Sequence, residues 1–217
     1  MTNIRKLALS GAMVSCMAVS GAVFADFTGN IGATSNYIWR GLTQTGDDAA
    51  ISGGLDYSHE SGIYVGTWTS SLGGGSQYEI DYYGGYAGEA SGIGYDVGVI
   101  LYSYPVDSSV ELDFTEVYLG GSYSYFSAKY SEIVNAESDA AGADDGSYVE
   151  AALDYPISDQ VGLGVHIGSA SGDFYPDDYM DWMLSVSKGD FSFALTGTDL
   201  DGAAGDPRAV VSWSQEF

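Results

Sequence analysis

The sequence predicts an all-β protein, a transmembrane antiparallel β-barrel of about twelve strands. Three features carry that prediction. From Phe27 onward, apolar or aromatic residues alternate with small, polar or acidic ones, and successive residues of a strand face opposite sides of a sheet. No run after residue 25 supplies the roughly 20 apolar residues of a membrane-crossing helix, and 31 glycines argue against a mainly helical chain. The last residues, from Arg208 to Phe217, set Ala209, Val211, Trp213 and Phe217 against Ser212, Ser214 and Glu216. A chain that ends as a strand must pair that strand, and closing the sheet onto its first strand leaves no edge.

The first segment alternates Phe27, Ile31, Ala33, Tyr37 and Trp39 with Thr28, Asn30, Thr34, Asn36 and Arg40, as one strand running to Arg40. The second sets Ile51, Leu55 and Tyr57 against Ser52, Asp56 and Ser58. A less regular segment at 62–71 follows. In the fourth, Tyr78, Ile80, Tyr82 and Tyr86 oppose Gln77, Glu79, Asp81 and Tyr83; in the fifth, Ile93, Tyr95, Val97, Val99 and Leu101 oppose Gly94, Asp96 and Gly98. Segments 113–122, 123–131 and 147–155 are weaker strands. The ninth is clear, with Val161, Leu163, Val165 and Ile167 against Gly162, Gly164, His166 and Gly168. Met180, Trp182, Leu184 and Val186, then Phe191, Phe193 and Leu195, mark the next two, and 208–217 is the twelfth.

Length checks the count. At about 9–11 residues per strand, twelve strands use roughly 108–132 residues, which leaves eleven connections of about 5–8 residues each. Ten strands result if one weak pair is a loop, fourteen is the other neighbouring count, and sixteen leaves almost no turns. Short connections at His59–Ser61, Gly88–Ser91, Pro156–Asp159 and Lys188–Asp190 are expected on the periplasmic side, together with both termini. Longer ones at Gly73–Ser76, Pro105–Leu112, Glu132–Gly146, Ala170–Asp178 and Leu200–Pro207 are expected outside. A water-soluble barrel or sandwich gives a similar dyad signal. The membrane is favoured because the phase opposite the apolar one is rich in Gly, Ser and acids. Tyr37, Trp39, Trp68, Tyr155, Trp182 and Trp213 near segment ends also suit interfacial girdles.

Residues 1–25 read as a cleaved secretory signal and 26–217 as the barrel. Arg5 and Lys6 precede an uncharged stretch from Leu7 to Val23, and Val23-Phe24-Ala25 offers a cleavage site. The stretch is short and weakly apolar for an anchor of about 20 residues. Cys16, the only cysteine, lies inside it; a lipoprotein signal places Leu three residues earlier, where Met13 stands. All 30 acids lie beyond residue 25, against Arg40, Lys129, Lys188 and Arg208, a net charge of −26. Nucleic acid is therefore excluded as a partner.

Ser35-Asn36-Tyr37-Ile38-Trp39-Arg40-Gly41-Leu42-Thr43-Gln44-Thr45, the stretch from Gly53 to Trp68, and Glu79-Ile80-Asp81-Tyr82-Tyr83-Gly84-Gly85-Tyr86 together resemble the TorF-type porins of Proteobacteria. The resemblance is strongest over residues 35–86 and looser to Phe217. It departs mildly at Asn36, where the family has an acid, and at Thr43, where it has serine. What it implies is an outer-membrane channel, with no substrate and no role for Arg40-Gly41 or Glu79/Asp81.

If the apolar phase faces lipid, the other phase lines the interior. The pore-lining candidates are Arg40, Asp56, Glu79, Asp81, Asp96, Glu116, Glu150, Asp154, His166 and Asp181, with Lys129 and Glu216 beside them. Unpaired carboxylates packed dry are costly, so the lumen is expected to hold water. Twelve strands fall between side-chain-filled barrels and open porins. Rings of acids favour cations, so the expectation is passive diffusion of small polar solutes or ions through a narrow, cation-preferring channel. Arg40 is expected to pair with Glu79 or Asp56 and hold a constriction, as a fixed charge in a pore gates or selects; the plainer readings are that it forms an internal salt bridge and that many acids merely solvate strand ends. A closed structural or adhesion barrel, plugged by the 132–146 loop, is the second reading.

Catalysis is not expected. A Ser-His-acid site needs a histidine beside its nucleophile, and only His59 and His166 exist, the latter next to Ser169. Two histidines and no mature cysteine give no transition-metal site, and acidic loops such as Asp173–Asp178 lack calcium-loop spacing. No cofactor is expected. Expected partners are outer-membrane lipid, small polar solutes or cations, and the general barrel-insertion machinery, engaged through Phe217.

Overall fold

A computed structural model of the protein describes residues 26–73, 78–105, 112–137 and 144–217. The signal segment expected at 1–25, with Cys16, lies outside the described residues, as do parts of the Gly73–Ser76, Pro105–Leu112 and Glu132–Gly146 connections. The elements are β1 (Asp26–Thr34), β2 (Ile38–Trp39), β3 (Leu42–Thr43), β4 (Ala50–Ser58), β5 (Ile63–Ser71), β6 (Tyr78–Ala90), β7 (Ile93–Ser103), β8 (Phe114–Tyr123), β9 (Phe126–Ala136), β10 (Ser147–Ser158), β11 (Val161–Ser171), β12 (Tyr179–Lys188), β13 (Phe191–Thr198) and β14 (Arg208–Glu216). β2 and β3 pair only with each other. The other twelve form one closed antiparallel barrel in sequence order, sealed where β1 pairs with both β4 and β14.

The barrel is apolar outside and is lined inside by acids and hydroxyls together with a buried cluster around Tyr102, Phe114 and Ile133. Phe27, Leu55, Leu119, Phe191 and Val211 are each more than half exposed on its outer surface, whereas Glu79, Asp81, Asp96, Glu116, His166 and Asp181 are buried within. A water-soluble barrel has the opposite polarity, and soluble monomers rarely expose apolar patches beyond a few hundred Å². Tyr155, Trp182 and Trp213 lie in the outward phase, but Trp68 points inward, where its ring meets Tyr37 at 5.4 Å.

The first strand, expected to run to Arg40, stops at Thr34. Side chains around Asn36 turn the chain. The Thr34 hydroxyl donates to the Asn36 carbonyl at 2.9 Å, and Asn36 Oδ1 accepts from the Thr43 and Thr45 hydroxyls at 2.6 and 3.0 Å. Such local bonds compete with the sheet ladder. Arg40 and Gly41 then take positive φ, +49° and +78°, as the two central residues of a type I′ hairpin turn do. The resulting β2–β3 hairpin folds into the barrel, so Tyr37 and Trp39 belong to the interior and not to a lipid-facing girdle.

The connections alternate in length. One end has turns of two to four residues, at 59–62, 91–92, 124–125, 159–160 and 189–190; the other has connections of six or more. Several strands overrun their expected ends: β6 continues to Ala90, β9 to Ala136, and β10 passes Pro156 by a bulge to Ser158. A bulge is where a strand accommodates proline.

Candidate functional site: a clamped hairpin in an acidic lumen

Arg40 sits at the tip of the β2–β3 hairpin, not on the barrel wall. The structure does not bear out a pairing with Glu79 or Asp56. Its Nη2 donates instead to Glu116 Oε2 on β8, as an ion pair whose side chains are nearly inaccessible. Its Nη1 donates to the Tyr175 hydroxyl, and its own carbonyl accepts from the Tyr179 hydroxyl at 3.0 Å. The guanidinium carbon lies 4.3 Å from the ring centres of both Trp39 and Tyr148. A planar cation between two rings with a carboxylate at its edge suits arginine and not lysine.

Trp39 extends the contact. Its ring meets Tyr102 and Phe114 at 6.1 Å, and Phe174 and Tyr175 of the 172–178 connection at 6.5 and 6.3 Å. The hairpin and that connection therefore narrow the lumen toward the long-loop end. Outside the strands, Asp47 ties the hairpin's return to the rim. Its Oδ1 accepts from Arg208 Nε at 2.7 Å and from Asn36 Nδ2 at 2.8 Å. The hydrogen bond from Arg208 holds the Asp47 carboxyl below the usual carboxylate range.

The inward acids fall into two groups. Toward the hairpin, Glu79 accepts the Tyr37 phenol at 2.6 Å, Asp81 is buried beside it, and Glu116 takes Arg40. On the β9–β12 side, where Asp181 and Tyr148 also flank the hairpin tip, Glu150 meets Lys129 at 2.7 Å, and His166 Nε2 lies 3.0 Å from Asp181 and 3.1 Å from the Tyr148 hydroxyl. That hydroxyl donates to Asp181 at 2.8 Å. Asp96 accepts from Tyr64 at 2.6 Å, and Asp56 from Tyr83. Asp154 and Glu216 are exposed toward the short-turn end. Sequence reasoning missed the tyrosines that hold these acids. The available signal was that Tyr64, Tyr83 and Tyr148 share the phase of the acids.

Among the described residues no Ser-His-acid triad is assembled. Ser169 is exposed on the opposite face of β11 from His166, and His59 Nδ1 serves a local turn, accepting the Ser61 N–H at 3.1 Å. Among the described residues no group of three or more His, Cys, Asp or Glu side chains is arranged to hold a metal ion.

With the barrel and its lumen established, comparison with other proteins places the chain. A family model matches residues 18–212. The chain belongs to the Gcw_chp family. That family is described as bacterial proteins of unknown function. No curated protein matches the sequence. Among solved structures, the barrel is similar to the KdgM porin at TM-score 0.60 and 9% identity, over 88% of this chain and 98% of that one. The KdgM porin in complex with disordered oligogalacturonate gives TM-score 0.56 at 10% identity, over 88% and 98%. The COG4313 outer membrane channel from Pseudomonas putida F1 gives 0.53 at 8% identity, over 91% and 97%. At such identities the likeness is one of fold.

Proposed function

We propose that this Gcw_chp protein is a porin-like channel of the bacterial outer membrane, narrow and cation-preferring, through which small polar solutes or ions diffuse passively. The observation that carries the reading is the inverted polarity of the barrel, with buried Glu79, Asp81, Asp96, Glu116 and Asp181 inside and an apolar outer surface. Lipid satisfies that surface, a closed barrel leaves no edge unpaired in it, and the solved neighbours are porins and channels. The TorF-type resemblance implies the same class. In this reading residues 1–25 direct export and are removed, long loops face outward, and Phe217 is presented to the insertion machinery.

Selectivity for cations follows from the lining. The inward bases are Arg40 and Lys129, and each is tied to a carboxylate, Glu116 and Glu150. An acidic wall attracts cations and repels anions. A polyanion such as the oligogalacturonate seen with the KdgM porin therefore does not suit this lumen.

One observation favours a second reading. Trp39, Arg40, Phe174 and Tyr175 pack against one another inside the barrel, which is the arrangement expected of a closed structural barrel. Single-channel recording of purified protein in a planar bilayer under a salt gradient separates the two. Discrete steps with a cation-selective reversal potential support the channel. Silence from folded, heat-modifiable protein supports the closed barrel, and anion preference removes the acidic-filter argument.

A further inference from the structure

His166 on β11 is buried, 3% exposed, and its two ring nitrogens stand in opposite situations. Nε2 lies 3.0 Å from Asp181 Oδ1 on β12 and 3.1 Å from the Tyr148 hydroxyl on β10. That hydroxyl gives its own proton to Asp181 Oδ2 at 2.8 Å. A carboxylate only accepts, so the hydrogen-bond network assigns the hydrogen of the neutral ring to Nε2, which donates it to Asp181. Nδ1 is then a bare lone pair. Among the described residues it is enclosed without a hydrogen-bond partner. What faces it is Glu150 Oε2 at 3.6 Å, a second acceptor. Two buried acceptors turned toward each other leave both unsatisfied, whereas one proton between them makes a charge-assisted hydrogen bond.

We propose that His166 Nδ1 and Glu150 Oε2 form a proton-binding site that sets the charge of the lumen beside the β2–β3 hairpin. The register builds the site. Glu150, Gly168 and Asp181 stand opposite one another across β10, β11 and β12. A Cβ on Gly168 would collide with the Tyr148 hydroxyl and Asp181 Oδ2, so the glycine makes room for the bond between them. The charged and titratable groups around the ring come from each neighbouring element. β10 supplies Tyr148, Glu150 and Asp154, whose charge acts on the ring, and β12 supplies Asp181. β9 supplies Lys129, and the hairpin supplies Arg40, 4.3 Å from the Tyr148 ring centre. On β11 itself the inward neighbours are Gly164 and Gly168. Lys129 holds Glu150 by Oε1 at 2.7 Å, which leaves Oε2 to the histidine without breaking that pair. The proton comes from lumen water, adds to the Nδ1 lone pair, and nothing leaves. Lys129, Glu150, Asp181 and the neutral ring together carry one net negative charge; with the proton bound they carry none. Histidine is the side chain that ordinarily changes charge between about pH 5 and 8, so this wall attracts cations less in mild acid. The site stands on geometry; its effect on permeation rests on the channel reading.

The test uses the full mature barrel refolded in detergent, with isotope-labelled histidine nitrogens read by nuclear magnetic resonance. The chain has two histidines, so His59→Gln, in an exposed turn, leaves the buried ring as the only signal. The expected result is an Nε2–H ring at about pH 8 that gains a second proton, on Nδ1, with a midpoint between about pH 5 and 8. An Nδ1–H ring at about pH 8, or a ring still neutral at about pH 5, overturns the proposal. In Glu150→Gln the amide can donate to Nδ1 in place of the proton, so the ring should take up its second proton only at lower pH; a native titration in that variant also overturns the site. Reversal potentials under a potassium chloride gradient read the consequence. Acidification from about pH 8 to 5 should move the native value toward zero by more than it moves that of His166→Gln, or of Glu150→Gln where the histidine variant does not refold. An equal shift places the response on the other carboxylates and overturns the assignment. A barrel whose ring titrates as expected but which never conducts counts against the channel reading only, and a conducting barrel whose ring fails these tests counts against this site only.

Discussion

Arg40 concentrates the energetics of the lumen in one side chain. Replacing it with alanine leaves Glu116 buried and unpaired, a situation that costs about 3–5 kcal/mol, and removes a cation from between the Trp39 and Tyr148 rings. The expected outcome for Arg40→Ala is a lower heat-modification temperature and larger single-channel steps, because the hairpin loses its anchor. Arg40→Lys restores the charge but not the fork, and recovers only part of either property. Unchanged steps in Arg40→Ala would remove the hairpin from the permeation path. Asp47 makes a smaller, pH-dependent contribution. Its folded-state pKa is depressed by Arg208, so its stabilisation is present above the unfolded carboxylate value of about 3.9 and is lost as pH falls through the lower folded value. The pair is exposed on the Asp47 side and so contributes no more than about 1 kcal/mol. Between pH 5 and 3 the native barrel should lose this small increment over Asp47→Asn, and 1 M salt should erase the difference. At this scale the phase of each acid was legible from alternation, since Asp96 on β7 and Asp181 on β12 each oppose the apolar residues of their strand and have one face to occupy. The partners were not legible, because a tyrosine reads as apolar in one phase and as a hydrogen-bond donor in the other.

The β2–β3 hairpin is the element that alternation misread. Tyr37 and Trp39 continue the odd-numbered apolar phase of β1, so the pattern runs on without a break through residues that fold inward. What broke the strand was side-chain bonding around Asn36 and a two-residue turn at Arg40-Gly41. The sequence contains both, but an Arg-Gly turn is a weaker signal than Asn-Gly. Gly41 tests the element directly. Its φ of +78° is unfavourable for any residue with a Cβ, and a Cβ there would stand 2.6 Å from both Asp181 Cβ and Thr198 Cγ2. Backbone strain alone costs about 1–2 kcal/mol, and the clash pushes the hairpin away from β12 and β13. Gly41→Ala should therefore lower the heat-modification temperature and raise the accessibility of Trp39 to a soluble quencher. A variant with native quenching would show that the hairpin is not seated at this contact.

On the scale of the whole molecule, strand number was legible because two independent constraints, dyad segments and chain length, gave the same count. Closure was legible because the alternation recurs from β1 to β14 and a closed sheet is the arrangement that leaves none of these strands with an unpaired edge. The seal itself is local. Gly29 and Phe217 exchange both backbone hydrogen bonds at 2.9 Å, and the pairing continues from Asn30–Glu216 to Thr34–Ser212. The Phe217 ring lies where a Cβ on Gly29 would be, 2.8 Å from its Cε2, so the glycine makes room for the terminal aromatic. Two changes separate the backbone's role from that of the ring. Truncation after Ser212 removes most of the β1–β14 ladder and exposes several donors and acceptors of β1 and β13, each worth several kcal/mol in a lipid or detergent core; no heat-modifiable, protease-resistant band should form. Phe217→Ala keeps the backbone bonds and loses a ring that is largely exposed, so the refolded barrel should retain heat modification with little change in its temperature. A truncated chain that still migrated as a compact barrel would mean that β13 can close onto β1 directly, with eleven strands in place of twelve.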